Sequence, residues 1–338
     1  MDVYHLLRKL TIRKIWNFLL LSISYFLSTV LKKHFLWGHP ATLSIEPSSY
    51  CNLSCPECPA GVKSLTREKG FIDIELFDKI LEETYPYLIY LNLYFQGEPF
   101  LHNRFIDMIK RAVEKKVYTS TSTNGHFLTP ENIKGMIESG LDRLIISVDG
   151  TTQEVYEKYR VGGDMETVIS GIKNVVEWKK KFQTSKPFLI LSFLALSTNE
   201  HQIKDIKELG KKLGVDKVVI KTAQVKDMSC RNDLVPAGKE LTRYKFVDGH
   251  YELKKKLTNR CWRAWSSPVI TFNGKLVPCC FDKNAEHSLG EVVTTGFRDV
   301  WKGNGFKDFR ERILNERKTI NICRNCTSGQ TIFVRKNS

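Results

Sequence analysis

Several common features are missing from this sequence, and each absence narrows the class of protein. No G-x-G-x-x-G run is present, which argues against an ordinary Rossmann dinucleotide-binding fold. No small-residue cleavage site follows the apolar segment near the N-terminus, so a secretory signal peptide is disfavoured. Acidic residues are outnumbered, 37 against 52 basic ones, and the formal net charge is +15. That charge favours an anionic partner, either a membrane surface or a phosphorylated substrate.

The basic residues stand in short clusters and form no recognised nucleic-acid module. Clusters such as KKK at 179–181 and 254–256 are typical of a solvated surface, so no specific nucleic acid is expected as a partner. The nine cysteines also stand in short spacings, which indicates metal ligation in a reducing compartment instead of disulfides. We therefore expect a cytoplasmic protein, and its 338 residues can hold one barrel-sized domain and a smaller one.

Apolar, β-branched runs alternate with amphipathic stretches between residues 40 and 224. One intervening helix is predicted in detail, with Thr129 as N-cap, Pro130 at its first position and Gly140 after its last turn. Alternating strands and helices predict a parallel α/β sheet, here a partial, TIM-like (β/α)6 barrel with its site at the strand C-termini. The pattern predicts strands at Thr42–Glu46, Leu88–Phe95, Val117–Thr121, Arg143–Val148, Phe188–Leu196 and Lys217–Lys221.

The first cysteine cluster follows directly on the first predicted strand. In the segment CNLSCPECP the three thiols of Cys51, Cys55 and Cys58 are spaced as CxxxCxxC. A four-iron cluster held by three thiolates keeps one iron open to a small molecule, and this spacing suits such a cluster. A zinc knot or a redox thiol pair is the alternative, although zinc sites usually contain CxxC twice and close all four ligand positions.

Polar residues also stand where later strands end. The second strand runs into Gly97, Glu98 and Pro99, the third ends in the segment TSTSTNG at 119–125, and the fourth ends in LIISVDG at 144–150. Catalytic groups of α/β barrels gather at strand C-termini. Any one of these residues could simply end a strand or form a turn, and it is their joint order that indicates a site.

In the type and order of these motifs the chain resembles the radical S-adenosylmethionine (SAM) enzymes. The resemblance implies that Cys51, Cys55 and Cys58 hold a [4Fe–4S] cluster. Two positions depart from the family pattern: Gln96 replaces the first glycine of the GGEP-like motif, and Glu57 replaces the aromatic residue that usually precedes the third cysteine. The second departure concerns how the adenine of SAM would pack.

The same resemblance implies a set of SAM-binding residues. Gly97 and Glu98 would meet the amino group of SAM, and Thr123 and Ser147 would face its ribose. Arg160, in VYEKYRVGG, matches the arginine that pairs with the SAM carboxylate in the peptide-modifying branch, where a guanidinium fork suits a carboxylate. The resemblance does not identify the catalytic residue that acts on the substrate.

A second cysteine set follows the less periodic residues 225–260. The segment SPVITFNGKLVPCC predicts a hairpin that turns at Asn273 and Gly274. This hairpin would bring Cys279 back toward Cys261. From spacing alone, a closed zinc ribbon and an iron–sulfur site are equally supported. The set consists of Cys261, Cys279, Cys323 and Cys326.

Placed after a radical SAM barrel, this second set resembles the SPASM/Twitch auxiliary-cluster domain. The short Twitch form, with one additional [4Fe–4S] cluster, fits best because no cysteine follows Cys326. Cys280 could replace its neighbour Cys279 as a ligand, and Cys230 is expected to be a structural or spare thiol and not a nucleophile. The expected organisation is an N-terminal helix at 1–36, the barrel at 40–224, a linker at 225–260, the auxiliary domain at 261–328 and a tail at 329–338.

The segment Ile15–Leu31 is almost wholly apolar and has basic residues on both sides. Its length of seventeen residues is at the lower limit for spanning a bilayer, and its aromatic residues suit a lipid interface. We expect peripheral attachment to the inner face of a membrane. A helix packed on the barrel is the alternative.

The resemblance implies an enzyme that reductively cleaves SAM to a 5′-deoxyadenosyl radical and abstracts hydrogen from a substrate. One auxiliary cluster would accept the substrate's electron, as in dehydrogenase or peptide-modifying relatives. Expected partners are a peptide, sugar, aminocyclitol or lipid-linked substrate and an electron donor such as flavodoxin or ferredoxin. A non-enzymatic, zinc-binding, membrane-associated adaptor is the alternative from a different class.

Overall fold

A computed structural model describes residues 2–326 of the chain. Its main sheet has eight strands: β1 Thr42–Ile45, β2 Tyr90–Asn92, β3 Tyr118–Thr123, β4 Arg143–Ser147, β5 Phe188–Ala195, β6 Lys217–Thr222, β9 Val269–Ile270 and β10 Leu276–Val277. Their order in the sheet is β10-β9-β1-β2-β3-β4-β5-β6. Neighbouring strands from β1 to β6 are parallel, while β9 pairs parallel with β1 and antiparallel with β10. A separate antiparallel pair consists of β7 Tyr244–Val247 and β8 His250–Leu253.

Helices connect the parallel strands and surround the sheet. Those of the N-terminal segment and barrel are α1 Asp2–Leu7, α2 Ile12–Leu31, α3 Ile74–Thr84, α4 Phe105–Glu114, α5 Pro130–Glu138, α6 Gln153–Glu157, α7 Met165–Lys181 and α8 Ile203–Leu213. Those of the C-terminal part are α9 Arg263–Ser266, α10 Val292–Thr295, α11 Phe297–Lys302, α12 Asn304–Glu316 and α13 Asn321–Arg324.

The fold class predicted from the alternating pattern is confirmed. All six predicted strands are present within a few residues of their expected bounds, and the apolar faces of the crossover helices bury a shared core against them. Helix α5 begins as predicted, with the Thr129 hydroxyl accepting from the Asn132 N–H at 3.3 Å. Gly140 follows it with a φ of +77°, a conformation that favours glycine.

The C-terminal hairpin is part of the barrel's own sheet. The predicted turn at Asn273 and Gly274 joins β9 to β10, and β9 hydrogen-bonds directly to β1. Residues 225–260, expected as a linker, contain the β7–β8 hairpin. Residues 297–316 hold two helices, α11 and α12, which meet at Gly303. The C-terminal part of the chain is therefore joined, through β9, to β1, the strand that leads into the first cysteine cluster.

The apolar N-terminal segment forms a helix, as expected. Helix α2 is long and apolar enough to cross a membrane by length and composition, and 39% of its most apolar window is buried. Leu21 and Tyr25 lie in a core cluster with Trp262 and Trp265 of the C-terminal part. The helix is thus docked on the folded chain along one side.

Candidate active site

A buried ion pair closes the base of the loop that carries the first cysteine cluster. Glu46, the residue after β1, is fully buried. Arg67 donates to both of its carboxylate oxygens, from Nη1 at 2.9 Å and from Nη2 at 2.5 Å, a bidentate pairing that orients both side chains. The Phe272 N–H also donates to Glu46 Oε2, at 3.1 Å. The loop is therefore held to the barrel and to the C-terminal hairpin at once.

Two of the three thiols on this loop lie beside hydrogen-bond donors. Asn124 Nδ2 is 3.8 Å from Cys51 Sγ, and Arg160 Nη1 is 3.8 Å from Cys55 Sγ. Burial raises the pKa of Cys51 to about 11, so the thiolate form that iron requires is established when metal binds. Donors aimed at the sulfurs fit an anionic iron–sulfur cluster, whose properties depend on such hydrogen bonds. Cys58 completes the set, with its N–H bonded to the Cys55 carbonyl at 3.1 Å.

The strand end at Gly97 is pressed against the same loop. Gly97 has a φ of +73°, and a Cβ there would lie 2.5 Å from the carbonyl oxygens of Ser48 and Tyr50. Only glycine fits this position without displacing the loop. The Glu98 N–H donates to the Tyr50 carbonyl at 2.7 Å. Beside it, Gln96 Oε1 is buried without a hydrogen-bond partner among the described residues, which makes it available to a bound molecule.

Glu98 is a buried carboxylate that the chain satisfies in part. Its oxygens accept from Thr123 Oγ1 at 2.8 Å, from the Asn124 N–H at 2.8 Å and from the Phe100 N–H at 3.3 Å. Burial raises the pKa of Glu98 to about 7, and these three donors oppose that rise. A carboxylate offers about four acceptor positions, so one remains for a ligand such as an ammonium group.

The two residues predicted to face a ribose lie at neighbouring strand ends. Thr123 ends β3, and its hydroxyl donates to Glu98 and accepts from the Gly125 N–H at 3.0 Å. Ser147 ends β4 and is half-buried. The structure therefore brings both to the C-terminal edge of the sheet, and Thr123 there supports Glu98. Contact of either residue with a ribose stays a prediction.

Arg160 lies between the cysteine loop and the end of β4. Its Nε donates to Asp149 Oδ2 at 2.6 Å, and Asp149 Oδ1 accepts from the Leu194 N–H at 2.6 Å. Because a guanidinium carries five N–H donors, the fork keeps further donors beyond Asp149 and Cys55 for a ligand carboxylate. The backbone beside Arg160 is also fixed, since the Ser54 N–H donates to the Val161 carbonyl at 3.0 Å.

Sequence reasoning missed the positioning roles of Asp149, Asn124 and Glu57. In the sequence, Asp149 lies within LIISVDG and Asn124 within TSTSTNG, where each is one of several residues that could end a strand or form a turn. Glu57, at the position where the family has an aromatic residue, accepts from the Lys226 N–H and from Asn232 Nδ2, both at 2.9 Å. The Glu57 side chain therefore attaches the segment after the barrel to the cysteine loop. No spacing in the sequence signals that long-range pairing.

The four thiols of the second set line one small enclosed cavity. Cys280 is not on its wall, and its Sγ instead accepts from Arg263 Nη1 at 2.8 Å. Arg317 Nη2 lies 3.7 Å from Cys326 Sγ and so brings a cation to the site. This placement favours Cys279 over Cys280 as the ligand. The cavity's cysteines are Cys261, Cys279, Cys323 and Cys326.

The zinc alternative concerns the distances between the thiols. A tetrahedral zinc ion with Zn–S distances of about 2.3 Å places its thiolates within about 4 Å of one another. Among residues 2–326 no three His, Cys, Asp or Glu side chains form a group suited to a single metal ion.

The comparison with protein families identifies both parts of the chain. The model described as the radical SAM superfamily matches residues 45–209, and the model described as an iron–sulfur cluster-binding domain, SPASM, matches residues 261–327. The chain belongs to the radical SAM superfamily of enzymes and carries a C-terminal SPASM domain. Membership implies [4Fe–4S] clusters and SAM as cofactors, and it excludes the alternative of a non-enzymatic adaptor.

Individual relatives agree with this assignment. The chain is 27% identical over 301 residues to the tungsten-containing aldehyde ferredoxin oxidoreductase cofactor-modifying protein of Pyrococcus furiosus, covering 79% of this chain and 82% of that protein. It is 22% identical over 295 residues to the SAM-dependent 2-deoxy-scyllo-inosamine dehydrogenase of Niallia circulans, covering 85% and 92%. The structure of Streptococcus suis SuiB bound to SAM shares the fold at 15% identity, with a TM-score of 0.63 over 89% of this chain and 75% of SuiB.

Proposed function

We propose that the chain is a radical SAM oxidoreductase that removes hydrogen from its substrate through one SAM-cleaving cluster and one auxiliary cluster. The observation that carries the proposal is the division of the cysteines: three on the loop beside Glu98 and Arg160, and four around a separate enclosed cavity. Three thiolates keep one iron open for SAM, whereas four complete the ligand set of a cluster. The two sites therefore suit different tasks.

Three groups of residues have distinct tasks in this proposal. Cys51, Cys55 and Cys58 hold the cluster, which when bound supplies the electron for reductive cleavage of SAM. Glu98 accepts the ammonium group of SAM at its remaining acceptor position. Arg160, oriented by Asp149, donates to the SAM carboxylate, and Ser147 faces the ribose.

The overall reaction is a two-electron oxidation. The substrate loses one hydrogen atom to the 5′-carbon of cleaved SAM and then one electron and one proton. SAM is converted to methionine and 5′-deoxyadenosine, so it accepts the two electrons in total. Cys261, Cys279, Cys323 and Cys326 would hold the auxiliary cluster, which when bound would supply an acceptor for the electron that the substrate releases. An electron donor such as flavodoxin or ferredoxin would then be needed only for the first turnover.

The substrate class is either an alcohol of a small sugar or aminocyclitol, or a peptide side chain. The Niallia circulans relative favours the first class because it is named as a dehydrogenase of an aminocyclitol and the match covers 92% of it. The SuiB structures share only the fold, although one contains a precursor peptide, and they keep the second class as a candidate. A lipid-linked sugar belongs to the first class.

The decisive experiment is anaerobic purification followed by assay of SAM cleavage. We expect about eight irons with equivalent acid-labile sulfide, the content of two four-iron clusters. With dithionite and SAM the protein should form 5′-deoxyadenosine, measured by liquid chromatography and mass spectrometry. Zinc in place of iron, or iron without 5′-deoxyadenosine, would contradict the proposal.

A further inference from the structure

Helix α2 has polar residues on the side that packs on the protein: Asn17 is 3% exposed, and Ser24 and Ser28 are fully buried. Leu21 and Tyr25 are buried on that side too, whereas six other large apolar side chains point outward. These six side chains form one stripe, here called the apolar face, and each of them is 46% to 63% exposed. They are Ile15, Trp16, Leu19, Ile23, Phe26 and Val30.

The buried polar residues fix the helix in this orientation. Asn17 donates from Nδ2 to the His39 carbonyl at 2.9 Å, and its Oδ1 accepts from the His39 N–H at 2.7 Å. Ser24 Oγ accepts from the Trp37 N–H, and Ser28 Oγ from the Phe35 N–H, both at 3.0 Å. Turning the apolar face inward would break all of these bonds and leave buried donors unpaired. The outward direction of the apolar face is therefore built into the fold.

A large apolar patch of this kind marks a surface that binds something. The aromatic members Trp16 and Phe26 suit the headgroup boundary of a bilayer. Exposed basic residues flank the helix, with Arg13 near its start and Lys32 and Lys33 directly after its end. The sequence contains no acidic residue between Asp2 and Glu46. Apolar area with basic flanks is complementary to an anionic membrane.

We propose that α2 lies in the surface of an anionic lipid bilayer with its apolar face inserted among the headgroups. It does not span the bilayer, because its polar side is bonded to residues 35–39. The same contacts fix the direction of the rest of the enzyme. Lys14 Nζ donates to the Lys116 carbonyl at 2.6 Å, just before β3, and Asn17 bonds to His39, just before β1.

The membrane therefore lies at the N-terminal ends of the strands, and the cysteine loop, Glu98 and Thr123 lie at the opposite ends. Strand β3 has six residues, so the barrel separates the two faces by about 20 Å at 3.3 Å per residue. The active site then opens to water, away from the lipid. A substrate reaches it from the aqueous side, which holds whether or not the reaction proposed above is correct.

The test is sedimentation of the full chain with sealed vesicles. We expect it to pellet with phosphatidylcholine vesicles that contain phosphatidylglycerol and to bind pure phosphatidylcholine about a hundredfold more weakly, since several basic residues contribute about 1 kcal/mol each on anionic lipid. A chain that stays in the supernatant with both vesicles, or binds both equally, overturns the proposal.

The apolar face is tested by the double variant Ile23→Glu with Phe26→Glu. Both side chains are exposed, so the fold is expected to persist, with binding to anionic vesicles at least about tenfold weaker. The matched control is Phe246→Glu with Val293→Glu, two similarly exposed apolar residues elsewhere, which changes the net charge equally and should bind like the parent. Equal loss in both variants would show that charge alone governs binding and would contradict insertion.

Three further measurements keep the proposal falsifiable. The variant Lys32→Gln with Lys33→Gln should bind anionic vesicles more weakly without any change at the apolar face. A cleavable tag placed before Met1 should remain accessible to protease added outside the vesicles, whereas protection would indicate a spanning helix. If light scattering shows a dimer that Ile23→Glu with Phe26→Glu converts to a monomer, the face belongs to a second copy of the chain.

Discussion

The two cysteine sites differ in number of thiols and in what surrounds them. The first has three, on a loop, with Asn124 and Arg160 beside two of the sulfurs and Glu98 close by. The second has four around a small cavity whose other lining is mostly apolar, with Arg317 and Arg263 as its cations. Largely buried polar side chains such as Glu98 and Arg160 thus stand beside the first site, whereas the second is lined mostly by apolar residues. In the function proposed above, the first site would act on SAM and the second would transfer electrons.

The largest expected effect comes from removing the three-thiol site. The triple variant of Cys51, Cys55 and Cys58 to Ala should form no 5′-deoxyadenosine, because the open iron is lost. Iron should fall from about eight to about four per chain, since the second site is separate. Cys230→Ala, at an exposed thiol, is the control and should match the parent. Residual SAM cleavage in the triple variant would refute the assignment of the two sites.

Removing the four-thiol site should abolish product formation but not SAM cleavage. The double variant Cys323→Ala with Cys326→Ala should also lose about four irons but keep reductive formation of 5′-deoxyadenosine, because the first loop is intact. Turnover of substrate to oxidised product should be lost. If product formation persists at the parental rate, the second cluster is structural and the net oxidation is not its task.

A smaller effect is expected from Arg160→Lys, which keeps the charge near the first site and removes the fork. Hydrogen bonds to charged groups are worth about 1.5–3 kcal/mol, so the KM for SAM should rise about tenfold to a hundredfold while iron content is unchanged. The matched control is Arg111→Lys on α4, because Arg111 also forms an ion pair, with Asp78 of α3. An unchanged KM would show that Arg160 orients the loop and does not touch SAM.

The smallest expected effect is the pH dependence of SAM binding. Since burial raises the pKa of Glu98 to about 7, this carboxyl is protonated below that pH and must lose its proton to accept an ammonium group. The affinity for SAM, measured by anaerobic calorimetry, should therefore fall about tenfold per pH unit below pH 7. Glu98→Gln should bind more weakly and remove this slope. The control Glu83→Gln leaves the site intact and should keep the pH dependence of the parent. If the pH dependence persists in Glu98→Gln, a group other than Glu98 titrates.

Much of the barrel and of the first site could be predicted from local sequence. The strand runs, the Thr129–Pro130 helix start and the Asn273–Gly274 turn are local signals, and each is present in the structure. The cysteine spacing and the strand end at Gly97 likewise depend on short segments. These features are predictable because near neighbours in the chain determine turn conformation, helix caps and strand ends.

The long-range pairings could not be predicted in this way. Asp149 accepts a hydrogen bond from Arg160, and Glu57 accepts hydrogen bonds from the segment 226–232. No local sequence pattern indicates either pairing. The pairing of β9 with β1 could not be predicted either, since the two residues of β9 are too short a pattern to identify a sheet neighbour. Trp265 Nε1 donating to the Phe35 carbonyl at 3.0 Å likewise ties the C-terminal part to the N-terminal segment.

The sequence by itself determined the cofactor class, because thiol spacing and motif order restrict the chemistry before any folding is considered. It also predicted an apolar helix at residues 15–31, which in the structure begins at Ile12. Only the tertiary structure decided which side of α2 faces outward, because Asn17, Ser24 and Ser28 find their hydrogen-bond partners in residues 35–39. A helical wheel separates polar from apolar sides, but the partners available after folding determine which of them is buried.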